Sequence, residues 1–149
     1  MDGYYRLLIV VHALAAILGL GIVTAVAIAA RVVGKSQRAA GEALAWLKPL
    51  LRYSAVSLGA MMVTGVMLDL AASGVWRSSW WFRGSVLLLI ATGGLHSRAR
   101  AIVRNDLSSE RWLSDGLRGG EALLRVSKMA FVMCGLIVAI TVLMEVKPF

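Results

Sequence analysis

The sequence predicts an all-α fold in which four transmembrane helices form one bundle. The chain of 149 residues is 59% hydrophobic and only 16% charged, and its mean hydropathy is +0.78. This composition is too apolar for a soluble domain. The apolar residues also fall into four segments near the length of about 20 residues that a helix needs to cross a bilayer. The alternating pattern of a β-barrel is absent, so the backbone must be satisfied inside helices.

In the first apolar segment, from Leu7 to Ala30, only His12 and Thr24 carry polar side chains. The second segment is interrupted late by Asp69. The third is the most polar, because its purely apolar run from Val86 to Leu95 is short. The fourth is again mostly apolar. We expect one domain over residues 1–149, with helices at about 5–33, 50–72, 80–103 and 124–146.

Basic residues predict the orientation. Five lie between Arg31 and Arg52 and seven between Arg98 and Lys128, which together make twelve of the sixteen. Short cytoplasmic loops collect Lys and Arg, so both termini are expected outside a cytoplasmic (inner) membrane. The net charge of +8 is then explained by topology and by attraction to anionic lipid at the cytoplasmic face, rather than by binding to nucleic acid.

Small residues recur at every fourth position and favour close approach of helices. A homodimer or a larger membrane complex that uses one of these faces is left open. The stripes are Gly21, Ala25 and Ala29, then Ala15 and Gly19, and finally Gly135 and Ala139. The lone Cys134 excludes an intramolecular disulfide and a zinc site built from cysteines.

Both histidines of the chain, His12 and His96, fall inside predicted spans, where an ionisable side chain is costly and usually faces the bundle interior. Small residues follow His12 on its own face and leave a groove in which a flat macrocycle could lie. His96 belongs to a polar stripe at helical spacing, formed with Ser85, Leu89, Thr92 and Arg100.

Neutral imidazole binds haem iron, and an arginine one turn away can pair with a propionate. We therefore predict His12 and His96 as metal ligands and Arg100 as a cofactor-binding residue, with haem b as the cofactor. The alternative is that each histidine hydrogen-bonds a neighbouring helix. His12 should lie about 10 Å and His96 about 24 Å below the same surface, at about 1.5 Å per residue, which disfavours one haem clamped by both.

Sulfur ligands and one acid give further possibilities. Thioethers and a thiol near the histidines could hold Cu(I), although methionine in a helix is more often plain packing. Asp69 could pair with Arg77 or Arg83 or take part in a proton path, but its small estimated depth favours an interfacial cap near the helix end. Met67 and Met144 are expected near the depth of His12, and Met61, Met62, Met133 and Cys134 near that of His96.

Three stretches carry a family resemblance: RLLIVVHALAAILGLG, WWFRGSVLLLIATGGLHSRARAI and IVAITVLMEVKPF. They resemble the HemJ-type membrane protoporphyrinogen oxidases and the wider CopD-like superfamily of four-helix membrane proteins. The resemblance implies a haem b-associated bundle that oxidises protoporphyrinogen, with His12 and His96 at the family's intramembrane histidines. Ser85 stands where the oxidases have a lysine, so the resemblance favours the broad superfamily over that specific activity.

Two classes of function follow from the sequence. The first is a haem-binding membrane oxidoreductase that acts on or with tetrapyrroles. The second is a non-enzymatic protein, either a small transporter or an accessory subunit of a larger membrane complex.

Overall fold

A computed structural model of the chain describes residues 2–36, 40–105 and 116–146. Within these ranges it contains α-helices, one short 3-10 turn at Val75–Ser78 and no strand. The predicted all-α bundle of four helices is confirmed. Each helix contains a segment long and apolar enough to cross a membrane, which makes the chain a multi-pass membrane protein. The helices are α1 (Asp2–Ser36), α2 (Ala40–Ala71), α3 (Trp80–Asn105) and α4 (Gly116–Val146).

All four helices extend beyond the predicted apolar cores, and α2 differs most, because it begins at Ala40 rather than near residue 50. Its first turns are rich in Ala, Glu and Leu, which are strong helix formers. A prediction based on hydropathy finds only the part of a helix that lies in hydrocarbon. The predicted helix bounds therefore omit the polar helix ends.

The helices run up and down in alternation, and around the bundle they follow the order α2, α1, α4, α3. The pairs α1 with α2, α1 with α4 and α3 with α4 share broad interfaces. The α2–α3 interface is much smaller, although a short turn joins these two helices. We call this open boundary the α2–α3 seam. The bundle end at the start of α1 and the end of α2 is called the terminal end, and the opposite one the basic end.

Large apolar side chains cover the outer surface of the bundle, and several polar side chains are buried among the apolar residues of its core. Apolar residues that are more than half exposed occur on every helix, among them Leu7, Ile17, Val56, Leu87 and Val132. The buried polar residues are Ser54, Ser57, Thr64, Asp69, Ser85, Thr92, His96 and Ser127. This distribution fits a surface that faces lipid, where polar groups must turn inward.

Serine hydroxyls join the helices at two buried points. Ser57 of α2 donates to the carbonyl of Ala15 at 2.6 Å. Ser127 of α4 donates to the carbonyl of Ala27 at 2.8 Å. Each bond needs close backbone approach, which the neighbouring alanines permit. Helix α1 is thereby fixed between α2 and α4.

The end of α2 carries a buried acid. Asp69 is 3% exposed, and its Oδ2 accepts a hydrogen bond from Nε of Arg77 at 2.7 Å. Arg83 does not contact the carboxylate and instead donates to the carbonyl of Arg77 at 2.9 Å. Of the two predicted partners, Arg77 is therefore confirmed. The chain reverses after Asp69 through Ser73 and Gly74, which both have positive φ values, of 59° and 72°.

Two glycines mark the closest crossing of α1 and α4. A Cβ atom added to Gly34 would lie 3.1 Å from the carbonyl oxygen of Gly120, and one added to Gly120 would lie 3.0 Å from the carbonyl oxygen of Gly34. Neither backbone oxygen can swing aside as a side chain would. Both positions therefore require glycine if the helices keep this separation. Both glycines lie outside the predicted helices at about 5–33 and 124–146, so the sequence did not predict this contact.

The stripe that contains Gly21 and Ala25 faces outward, since both residues are exposed. A Cβ atom added to Gly21 or to Gly135 would meet nothing within 4 Å. These two positions therefore do not hold the bundle together. Ala15 and Gly19 do, because they lie against Ser57.

The crossing of α1 and α4 predicts that Gly→Ala substitutions will differ in their effect on the free energy of unfolding. Gly34→Ala and Gly120→Ala should each lower the free energy of unfolding by about 1–3 kcal/mol, because the helices must move apart. Unfolding in mixed micelles of dodecyl maltoside and SDS, followed by circular dichroism, measures the change. Gly21→Ala and Gly135→Ala are matched controls that should be neutral or raise stability by up to about 1 kcal/mol, since alanine is the better helix former. Equal losses in all four variants would contradict the assigned crossing.

Candidate functional site

His96 is buried and joins α3 to α2. Its Nε2 lies 3.0 Å from the carbonyl oxygen of Leu51 and 2.7 Å from Oγ of Ser54. A carbonyl oxygen can only accept, so Nε2 must carry the proton. Ser54 in turn donates to the same carbonyl at 3.1 Å. At 4% exposure, His96 uses its Nε2 as a helix-to-helix donor, as the alternative to metal binding had predicted.

His12 also hydrogen-bonds α2, but through its other nitrogen. Its Nδ1 lies 2.7 Å from Oγ1 of Thr64. The single hydroxyl proton of Thr64 is donated to the carbonyl of Ala60 at 2.7 Å, so we assign the bridging proton to Nδ1 of the ring. Nε2 then carries the lone pair. This is the tautomer of a histidine that can bind a metal while its other nitrogen is held.

The two histidines occupy different levels of the bundle. Their partners on α2, Ser54 and Thr64, are ten residues apart, which corresponds to about 15 Å along a helix. This agrees with the depth difference of about 14 Å that the sequence predicted. His12 and His96 therefore do not meet, and one haem held between them is incompatible with this geometry.

The groove predicted beside His12 is occupied by α2. Ala15 is buried, and its carbonyl accepts the bond from Ser57. A Cβ atom added to Gly19 would lie 3.0 Å from Oγ of Ser57. A flat molecule cannot lie against this face of α1, because the small residues serve helix packing instead.

An apolar cavity of about 140 Å³ lies on the other side of His12, at the terminal end of the α2–α3 seam. Gly65 packs beside the imidazole there, and a Cβ atom added to it would be in ordinary van der Waals contact, 3.5 Å from Cε1 of His12. The rim is exposed. Its lining includes Met61 and Met62 of α2, Ser85, Val86 and Ile90 of α3, and Met144 of α4.

The methionines are distributed differently from the prediction. Met61 and Met62 were expected near His96, but they line the cavity that contains His12. Met144 was expected at the level of His12 and does line that cavity, whereas Met133 is fully buried in the core. Cys134 lies 3.4 Å from Oγ1 of Thr24. Met61 and Met62 precede Thr64, the α2 partner of His12, by three and two residues, which places their thioethers near His12 rather than near His96.

Arg100 lies in a separate groove of about 450 Å³ at the basic end of the α2–α3 seam. The predicted stripe on α3 is confirmed for Ser85, Thr92 and His96, which are buried. Arg100, one turn further, is exposed. Its groove also contains three other cations and a short apolar floor, namely Lys48, Arg52 and Arg104 with Leu51, Ala101 and Val103.

Over residues 2–36, 40–105 and 116–146, no cluster of three or more His, Cys, Asp or Glu side chains could hold a metal ion. In the cavity beside His12, the side chains that could ligate a metal are the imidazole and the thioethers of Met61, Met62 and Met144. That ligand set suits haem iron or Cu(I) and does not suit Zn²⁺ or Mg²⁺.

Comparison with protein-family models, with curated proteins and with solved structures finds no match to this chain. The assignment of function consequently depends on the geometry of the described residues.

Sequence reasoning found both histidines but missed their partners. Ser54, Ser57, Met61, Thr64 and Leu68 are spaced by three or four residues along α2, and all five are buried. This period marks the interior face of a helix. Because polar and apolar residues alternate within it, hydropathy alone did not distinguish it from the rest of α2.

The role of His96 can be tested by its effect on stability. His96→Ala should lower the free energy of unfolding by about 2 kcal/mol or more, because it removes a buried ring and a bond across the weakest interface. His96→Gln keeps a donor and should recover part of the loss. Ser97→Ala, at the exposed neighbouring position, is the control for unfolding in mixed micelles. If His96→Ala were as stable as the unchanged protein, the ring would not be a structural link.

Proposed function

We propose that this integral membrane protein binds a haem-type tetrapyrrole at the terminal end of the α2–α3 seam, with His12 as the axial ligand. Two observations about one residue carry the proposal: Nδ1 of His12 is held by Thr64 at 2.7 Å, which leaves the lone pair on Nε2, and His12 lines the apolar cavity. Metal-binding histidines almost always donate their other ring N–H to a fixed acceptor. His96 has the mirror-image arrangement, since its Nε2 donates to Leu51 and its Nδ1 keeps the lone pair, but it is only 4% exposed and lines neither this cavity nor the groove of Arg100.

The walls around His12 support an apolar, planar ligand. The closed part of the cavity, about 140 Å³, is smaller than the roughly 300–1,000 Å³ of typical small-molecule sites. Its rim residues Met62, Val66 and Ile90 are about half exposed or more, and the seam beside them is the least packed boundary of the bundle. A macrocycle would thus lie with one edge in the cavity and the rest against the exposed rim and the lipid.

Several residues around the cavity would each have a separate role in binding the cofactor. His12 would supply the ligand nitrogen, Thr64 would fix the ring plane, and Met61 or Met144 would offer a thioether on the same cavity. Haem b supplies one-electron chemistry when it is bound. The resemblance to the HemJ-type oxidases suggests that the electrons come from a tetrapyrrole. The same His and Met set makes Cu(I) the alternative metal.

A second candidate is an accessory subunit that packs against another membrane protein. The observation that favours it is the outward stripe of Gly21 and Ala25, both exposed, with nothing within 4 Å of a Cβ atom added to Gly21. Small residues on a lipid-facing surface let a partner helix approach closely.

We also propose that the basic end faces the cytoplasm of a cell with an inner membrane. Among the described residues, the cations of the terminal end are Arg6, Arg77 and Arg83, and those of the basic end are Arg31, Lys35, Lys48, Arg52, Arg98, Arg100, Arg104, Arg118, Arg125 and Lys128. This asymmetry supports placing both termini outside. The predicted contributions of Arg38, Arg111 and Lys147 lie outside the described residues.

The cofactor proposal predicts unequal effects of the two histidines. Protein expressed with ample haem should show a Soret band, which His12→Ala should abolish while circular dichroism stays helical. Thr64→Val should weaken haem retention by roughly 10–100-fold, because the ligand ring loses its orienting acceptor. His96→Ala should keep the band in the folded fraction, and Arg100→Gln, at the opposite end, is the control that should leave it unchanged.

Two results would count against haem at His12. A folded, colourless protein purified after haem supplementation would favour the accessory-subunit or transporter alternative, and copper in the same sample by elemental analysis would favour Cu(I). A Soret band that survives His12→Ala but not His96→Ala would move the ligand to the other histidine.

The orientation can be tested with single cysteines in a Cys134→Ala background. Ser78→Cys, at the terminal end, should react with a membrane-impermeant maleimide on intact cells. Asn105→Cys, at the basic end, should react only after permeabilisation. Both positions are exposed, and neither change alters the charge that sets topology. Labelling in the reverse order would refute the orientation.

A further inference from the structure

We propose that the groove at the basic end of the α2–α3 seam is a binding site for an anionic phospholipid whose headgroup carries two negative charges. The groove contains four cations, two from each helix: Lys48 and Arg52 of α2, and Arg100 and Arg104 of α3. All four side chains are exposed. The site does not include His12, and the proposal is independent of haem.

Three of these cations, Lys48, Arg52 and Arg100, have no ion pair among the described residues. The ion pairs given by the described residues are Asp69 with Arg77, and Glu121 with Arg125 at 4.0 Å. No described acid pairs with Lys48, Arg52 or Arg100. Like charges four residues apart destabilise a helix, and here two such pairs face one groove. A bound dianion would relieve the repulsion between both pairs at once.

The shape of the groove fits a headgroup. Its volume of about 450 Å³ lies within the roughly 300–1,000 Å³ of small-molecule sites. Leu51 and Val103 are buried below the charges, while Ser97 adds a hydroxyl at the edge. Guanidinium groups bind phosphate oxygens in pairs, and the lysine adds a point charge. Basic pockets between transmembrane helices are suited to phospholipids of this type.

The position of the groove favours a lipid over a soluble anion. Trp46, two residues before Lys48, is 71% exposed, and exposed tryptophan is typical of the headgroup level of a membrane. Below the groove, the α2–α3 seam continues toward exposed apolar residues such as Val66 and Ile90, which line the cavity at its other end. Acyl chains attached to a headgroup in the groove would therefore meet apolar side chains along the seam.

Lipid retention by the intact, haem-free protein in detergent tests this site. Native mass spectrometry after incubation with cardiolipin, phosphatidylglycerol or phosphatidylcholine should show the order of retention in which they are named. The double variant Arg52→Gln/Arg100→Gln should reduce retention of cardiolipin by roughly tenfold or more. The matched control is Arg98→Gln/Lys128→Gln, which removes the same charge at the same end from exposed positions outside the groove, and should change retention less than twofold.

Several outcomes would overturn the proposal. Equal losses in the two double variants would mean attraction to general surface charge, and equal retention of cardiolipin and phosphatidylcholine would mean no headgroup site. Displacement of cardiolipin by millimolar inorganic phosphate would assign the groove to a soluble anion, and displacement by haemin would assign it to tetrapyrrole carboxylates. Unchanged circular dichroism of both double variants is required for each comparison, and Lys48→Gln provides a second groove variant if the first fails to fold.

Discussion

The bundle depends on one constraint: in hydrocarbon, a polar side chain has to find its partner inside the protein. The buried face of α2 provides hydrogen-bond partners for the polar groups of the neighbouring helices. Its Ser57 bonds the backbone of α1, its Thr64 holds His12, and its Leu51 carbonyl and Ser54 hold His96. The rotation of α1 and the attachment of α3 both follow from these bonds. Without them, apolar packing against lipid-like side chains would distinguish one helix face from another only weakly.

The same constraint divides the molecule into two regions with different chemistry. Each histidine links its own helix to α2 through one ring nitrogen and keeps a lone pair on the other, but His12 lines the apolar cavity of the seam and His96 does not. Apolar walls and thioethers line the cavity beside His12, while four exposed cations lie beyond His96, in the groove at the basic end. A soft metal or macrocycle and a phosphate headgroup thus have distinct places on one seam.

The fold was predictable from the sequence to the extent that hydropathy determines it. Helix number, the inward stripe on α3 and the separation of His12 from His96 followed from periodicity and from the rise per residue. The register between helices did not, which is why Met61 and Met62 were assigned to the wrong histidine. Register is set by specific contacts such as Ser57 with Ala15 and Gly34 with Gly120, and these small residues have no hydropathy signal of their own. The ring proton of His12 likewise depends on Thr64, which is fifty-two positions away in the chain.

Because the contact between α2 and α3 is narrow, the seam is open to ligands that are dissolved in the lipid bilayer. A molecule that reaches the seam sideways comes from the bilayer, so its effective concentration is a mole fraction among lipids and detergents rather than an aqueous molarity. Detergent that dilutes the membrane phase would then weaken apparent affinity without any change in the protein. Affinities for a site of this kind are comparable only at a fixed ratio of ligand to total amphiphile.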